Sequence, residues 1–251
     1  MKIRNLKSVH ADELQIIFTI SCYNHPMENI NRLYVLNTDI FDDTTAFNEA
    51  YAQMDHERKK KIDAFKYPKD KKLSLGAGFL LKKGLAEIGI TDFEIIKGSN
   101  EKPYLDGFDN VFFNLSHSGN MVALGLSDKE IGVDIENIRN FRESLVNYVF
   151  SLDEQDMAKE LVCSQNLSPN ETYTRLWTAK ESIMKYSGMG ITLEPKKIVL
   201  SLRKNCPDPA LMLFASSEAL DLGSLTLSSY DIPDYQLTVC SEYRSFELTR
   251  L

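Results

Sequence analysis

Three carboxylates stand out because of what surrounds them. In KEIGVDIENI, residues 129–138, Asp134 and Glu136 flank one isoleucine inside an apolar run that reads as a β-strand. Alternate strand residues share a face, so Val133 and Ile135 can meet a core while the two acids, with Cα atoms roughly 6.5–7 Å apart, share the other side. Two anions so placed repel and call for a cation. Oxygen donors with no His or Cys beside them suit a hard ion such as magnesium. An isolated D-x-E is more often a solvated strand face, so the reading needs a second cluster.

RLWTAKESIMKYSGMGI, residues 175–191, supplies it. On a helix, Glu181 lies one turn from Trp177 and one turn from Lys185, with Leu176, Ile183 and Met184 on the buried side. Glu181 is then a third carboxylate, and Lys180 and Lys185 are phosphate-binding cations. Taken alone, a Glu181/Lys185 pair is an ordinary surface contact worth about 0.3–0.5 kcal/mol. The third piece, FFNLSHSGN at 112–120, delivers Ser116, His117, Ser118 and Gly119 at the end of a strand. No G-x-S-x-G elbow accompanies that serine. Contact with a phosphate through hydroxyl, imidazole and turn amides fits better.

These pieces sit in an alternating frame. LQIIFTISC near the N-terminus and RLYVLNTDI read as strands, and residues 45–62 are polar and helix-prone. After Pro68, Leu73, Gly76, Leu80, Gly84 and Leu85 mark a helical stripe, closed by Gly89, whose two glycines imply close packing. FEIIKG, KPYL, VFFNLS, MVALGLS and EIGVDIE follow as strands between turn-forming separators. Residues 141–187 are helical, broken by SPN at 168–170. Strands return in ITLEPKKIVLSL, SLTLSSYDI and YQLTVCSEY. Strands, helix, strands, helices, strands describe an α+β protein, with a seam near residue 130.

With 251 residues and 43% hydrophobic content, the chain can bury a real core as one large domain or two halves. A formal charge of -7 argues against general nucleic-acid binding. Yet RKKKIDAFKYPKDKK, residues 58–72, holds eight Lys or Arg against Asp63 and Asp70, which is either a solvated helix face or an anion site. Four scattered cysteines fit neither a zinc site nor a disulfide framework. Asp12 and Glu13 beside a short apolar stretch argue against a signal peptide, and no run reaches membrane-spanning length. A soluble cytoplasmic protein is expected.

FNLSHSG, GVDIE and WTAKESIMK, in this order, resemble the signature of the 4'-phosphopantetheinyl transferases, of the surfactin-synthetase-activating type with two fused, pseudo-symmetric halves. NEKPYL, residues 100–105, lies where that family has a G-K-P segment. The resemblance runs from about residue 31 to the C-terminus and is strongest over 100–191. Residues 1–30 fall outside it, as an added strand or a misassigned start with Met27 as initiator.

The resemblance implies two similar α+β halves, 31–130 and 131–251, with the active site in the cleft between them. It implies transfer of the phosphopantetheine arm of coenzyme A to a serine of an apo acyl or peptidyl carrier protein, releasing adenosine 3',5'-bisphosphate. Asp134, Glu136 and Glu181 would hold Mg2+, and Lys185 would contact the transferred or leaving phosphate. Ser116 and His117 would contact the nucleotide, Lys102 and Pro103 the adenine and ribose, and Lys60 and Lys72 the ribose phosphate. Glu154, in FSLDEQD, matches a family glutamate near the metal and would be a base or a structural partner; Glu181 or a metal-bound water are the alternative bases. Glu101 departs from the family's glycine, and Glu57 from a lysine that Arg58 or Lys61 would replace. A monomer is expected, with no nucleic-acid or membrane partner. A magnesium-dependent hydrolase of coenzyme A, or a non-catalytic coenzyme A or carrier-protein binder, would use the same motifs.

Overall fold

The computed structural model describes residues 29–203 and 206–251, so the strand expected at 14–22 and the reading of Met27 lie outside the described residues. Two segments of the chain follow one plan. The first runs through β1 (Asn31–Asn37), α1 (Thr44–Ala52), α2 (His56–Ala64), the long α3 (Pro68–Glu87), a small hairpin of β2 (Ile95–Lys97) and β3 (Pro103–Leu105), and then β4 (Phe112–Ser118) and β5 (Met121–Ser127). The second runs through β6 (Ile131–Asn137), α4 (Glu143–Val149), α5 (Leu152–Gln165), the long α6 (Pro169–Tyr186), a small hairpin of β7 (Ile198–Leu202) and β8 (Leu213–Ser217), and then β9 (Thr226–Ile232) and β10 (Tyr235–Ser241). The main sheets are ordered β1-β5-β4 and β6-β10-β9, each with its last strand in the middle. The fold is α+β, built twice on one topology. A final strand, β11 (Glu247–Arg250), pairs in parallel with β1 and so returns the C-terminus to the first sheet.

Local chemistry explains the helix starts. The carboxylates of Asp43 and Asp55 accept from first-turn amides of α1 and α2, and α3 begins on Pro68, whose missing N–H costs nothing there. Ser151/Glu154 and Ser168/Glu171 form capping boxes on α5 and α6. The expected polar helix at 45–62 is two helices, because Asp55 caps a fresh start. The strand expected from residue 191 begins only at Ile198, since Pro195 opens a tight turn first. Neither β8 nor β11 was anticipated; their short, mixed sequences carry no clear alternation.

Three apolar clusters stack the layers. One lies between α3 and the first sheet, where Tyr34, Leu36, Leu124 and Leu126 meet Leu80 and Leu85. A second lies between the two sheets, joining Leu33 and Val35 to Ile131, Val133 and Ile135. The third packs α4, α5 and α6 over β7 and β8. The glycine stripe of α3 is a packing device, as its spacing implied: a Cβ on Gly84 would stand 2.7 Å from Leu126 Cδ1. Among the described residues, no helix is long and apolar enough to cross a membrane.

Candidate active site

β6 is the strand with two characters. Ile131, Val133 and Ile135 are wholly buried between the sheets, so Gly132, Asp134 and Glu136 turn toward α6. A Cβ on Gly132 would overlap the Ser182 carbonyl oxygen and the Tyr186 amide, so the helix backbone rests directly on the strand. That close approach brings Glu181 and Lys185 over Asp134, and the glycine of GVDIE is its condition.

Asp134 is 3% exposed. Its Oδ1 accepts from Lys185 Nζ at 2.7 Å and from Ser116 Oγ at 2.9 Å. Its Oδ2 is buried and has no partner. Glu136 Oε2 accepts from Ser118 Oγ at 2.7 Å, and Arg139 stands 3.9 Å from its other oxygen. Lys185 thus reaches across to Asp134 rather than along its own helix to Glu181. Glu181 loses water around its carboxyl and faces Asp134 and Glu136, which together push its pKa up to about 7 despite Lys185. His117 reaches solvent beside the same wall. Lost hydration, then the cations of Lys185 and Lys61, lower its pKa, and Glu136 opposes them.

The expected metal ligands therefore converge on one wall from two elements. Their donor chemistry fits a hard cation: oxygen atoms in excess of nearby positive charge, with one buried carboxylate oxygen left unmet. Among the described residues, however, no three His, Cys, Asp or Glu side chains stand as a closed metal-ligating group. Lys185 shares Asp134 in this arrangement.

Other expectations divide. Glu154 is placed elsewhere: it is 1% exposed, and its carboxylate accepts from the Ser151 and Leu200 amides and from Lys180 Nζ at 2.8 Å. The structural-partner role is the one its surroundings serve, because both carboxylate oxygens are taken by donors inside the protein. Lys180 is correspondingly no phosphate ligand. It is fully buried, donating to Glu154 and to the carbonyls of Val149 and Pro195, and burial lowers its pKa. Ser116 is 5% exposed and occupied within the protein, accepting from Lys185 and from the Ile135 amide while donating to Asp134. Lys102 is buried against Glu130 and the Tyr186 carbonyl, so its ammonium ties β3 to the end of α6 instead of facing open space. Pro103 is half-buried beside it. Lys72 is held by Asp42 at 2.8 Å, and Lys60 is exposed on α2. Within the basic segment, Lys61 is the cation felt by His117, and Arg58 and Lys97 lower its own pKa after burial does. Ser118 was named in the sequence only with its neighbours at the strand end and given no role of its own; its two-residue spacing from Ser116, parallel to Asp134 and Glu136, was the available signal.

Two family profiles divide the chain between them. The profile of the 4'-phosphopantetheinyl transferase superfamily matches residues 130–240. That of the N-terminal part of 4'-phosphopantetheinyl transferase matches residues 43–129. The chain belongs to the 4'-phosphopantetheinyl transferase superfamily. Among curated relatives, the 4'-phosphopantetheinyl transferase AcpT of Salmonella typhimurium is 43% identical over 99 residues, which are 38% of this chain and 50% of that protein. The 4'-phosphopantetheinyl transferase psf-1 of Bacillus pumilus is 31% identical over 145 residues, 57% of this chain and 58% of that protein. The 4'-phosphopantetheinyl transferase Sfp of Bacillus subtilis is 24% identical over 195 residues, 76% of this chain and 83% of that protein. The chain thus spans about half the length of the first of these relatives. The superfamily profile covers β6 and α6, the elements that carry Asp134, Glu136, Glu181 and Lys185.

Proposed function

We propose that this protein transfers the 4'-phosphopantetheine arm of coenzyme A to a serine hydroxyl of an apo acyl or peptidyl carrier protein, in a magnesium-dependent reaction that releases adenosine 3',5'-bisphosphate. The observation that carries the reading is the convergence of Asp134, Glu136 and Glu181 on one wall with Lys185 among them. Residues 31–130 and 131–251 are the two halves, exchanging only β11, and the reaction takes place between them in the cytoplasm on a monomer.

Asp134, Glu136 and Glu181 would hold the magnesium, with the unmet Asp134 Oδ2 as its most exacting ligand. Bound there, the ion supplies the charge neutralisation that a diphosphate needs as its phosphorus is attacked. Lys185, only partly buried, turns its ammonium from Asp134 toward the phosphate oxygens. His117 and Lys61 flank the opening and receive the nucleotide's outer phosphate. Lys60 stands on the same helix, while Lys72 engages an anion only by leaving Asp42. Of the two glutamates considered as a base, Glu181 faces the cleft and holds a proton far more readily than an ordinary carboxylate, whereas Glu154 is sealed. Ser116 supports the wall from behind, and Lys102 with Pro103 shapes its far end.

An intact-mass assay tests this directly: the protein, coenzyme A, Mg2+ and a panel of apo carrier proteins, with and without chelator. The expected result is a magnesium-dependent gain of one phosphopantetheine on the carrier serine, abolished by Asp134→Ala. Coenzyme A cleaved without an acceptor would replace the transferase reading with a hydrolase. Coenzyme A bound but unchanged across the panel would replace it with a binding protein.

A further inference from the structure

β4 and β6 run side by side but belong to separate sheets, and no backbone ladder joins them. The amides of β6 that face β4 meet side chains instead. Asn114 Oδ1 accepts from the Val133 amide at 2.9 Å, Ser116 Oγ from Ile135 at 3.2 Å, and Ser118 Oγ from Asn137 at 3.1 Å. Both partners advance by two residues, so the seam is a periodic side-chain zipper between parallel strands. An amide left unmet at such a buried seam is costly, which explains an acceptor at every rung.

The rungs are not chemically alike. Asn114 presents its carbonyl oxygen to the amide and touches neither acid. A hydroxyl accepts and also donates. Ser116 donates to Asp134 Oδ1 at 2.9 Å and Ser118 donates to Glu136 Oε2 at 2.7 Å, in each case to the residue just before the amide it accepts from. Each carboxylate is thereby fixed through one oxygen to a hydroxyl that is itself fixed to the backbone. The second oxygen of Asp134 is left buried without a partner.

We infer that Ser116 and Ser118 are positioning residues: the two hydroxyls orient Asp134 and Glu136 so that their remaining oxygens face a shared divalent cation. The inference rests on the reading of this wall as a cation site. Ser118 is its sharper half, because Ser116 is also bound by Lys185 whereas Ser118 serves only the amide and Glu136.

The test is Mn2+ binding, followed by the paramagnetic signal of the free ion, on metal-free wild type, Ser118→Ala, Ser118→Thr and Asn114→Ala, with melting temperatures measured in parallel. Ser118→Ala should weaken Mn2+ binding about tenfold, as loss of an outer hydrogen bond to a ligand does, and Ser118→Thr should restore it to within about twofold. Asn114→Ala, which opens a rung but frees no carboxylate, should lower the melting temperature and leave the Mn2+ dissociation constant unchanged. Equal Mn2+ affinity in wild type and Ser118→Ala overturns the inference, and so does equal weakening in Ser118→Thr. Wild type that binds no Mn2+ removes the cation site itself, a separate failure from a wild type that binds and a Ser118→Ala variant that binds equally well.

Discussion

β1 and β6 open their halves with the same seven-residue strand and the same fate for alternate residues. Leu33 and Val35 enter the core between the sheets, as do Val133 and Ile135. On the helix-facing side the halves part: Tyr34 and Leu36 are buried in apolar packing under α3, while Asp134 and Glu136 stand under α6. The small residue that admits the helix has also changed sides. In the first half it is Gly84 on the helix, near the Tyr34 ring; in the second it is Gly132 on the strand. Helix glycines make room for large side chains above β1, whereas a strand glycine brings the helix backbone itself down beside the acids. One scaffold therefore makes a core from one copy and a polar wall from the other, and the chemistry belongs to the site rather than the fold.

The strongest way to break this comparison is at the ion pairs on the two long helices. Lys180→Ala leaves Glu154 charged and sealed, and should cost about 3–5 kcal/mol in urea unfolding. Lys83→Ala, which removes the pair with the more open Glu87 on α3, should cost only about 1 kcal/mol. Comparable losses would mean that the second half is no more dependent on its sealed pair than the first is on a part-exposed one.

Next come the glycines. Gly132→Ala sets a methyl against helix backbone and should destabilise by about 3 kcal/mol, while Gly84→Ala meets side-chain ends that can shift and should cost about 1 kcal/mol. Unfolding curves that rank them the other way would refute the assignment of the contact to β6.

The acids of the second half should also make it pH-sensitive. Protonated Glu181 cannot bind a cation, so below its pKa of about 7 the proton competes and affinity falls as pH falls. Titration calorimetry should show Mg2+ affinity rising about tenfold per pH unit from 5.5 to 6.5 and levelling above 7. Glu181→Gln should remove the slope; a slope that survives would assign the proton elsewhere.

The smallest effect belongs to the first half, where Asn100 and Glu101 enter the β2–β3 hairpin with φ of 58° and 65°. A side chain disfavours that conformation and glycine does not. Glu101→Gly should therefore raise stability by about 0.5–1 kcal/mol, read as a higher melting temperature, after allowing for the added freedom of the unfolded chain. No increase would show that the Lys97 contact offsets the backbone cost.

Several features needed no coordinates. Alternation over 131–136 set which β6 residues share a face, the glycines of α3 signalled close packing, and Pro68 and the SPN break at 168–170 marked helix boundaries through chemistry local to the chain. The carboxylates were visible as acids inside an apolar run, an arrangement that burial penalises unless something answers the charge. Sequence spacing alone did not say which lysine meets the acids of β6. Lys180 and Lys185 lie in one motif, yet one is sealed against Glu154 and the other meets Asp134, because their helix sides face different neighbours. Within the basic segment the same ambiguity left Arg58 and Lys61 as alternatives, and Lys102, expected beside the adenine and ribose, is held by Glu130 and the Tyr186 carbonyl.

What the sequence determined by itself is therefore periodic and local: which residues alternate, where helices begin, which carboxylates are available. What only the tertiary structure decided is who faces whom: Ser116 and Ser118 bridging two strands that share no ladder, Glu154 spent on a buried lysine, and β11 returning to β1. Hydrogen bonds and ion pairs act over a few ångströms in space, and residues brought that close can be tens of positions apart in the chain. Pattern reports the near ones, and packing chooses the far ones.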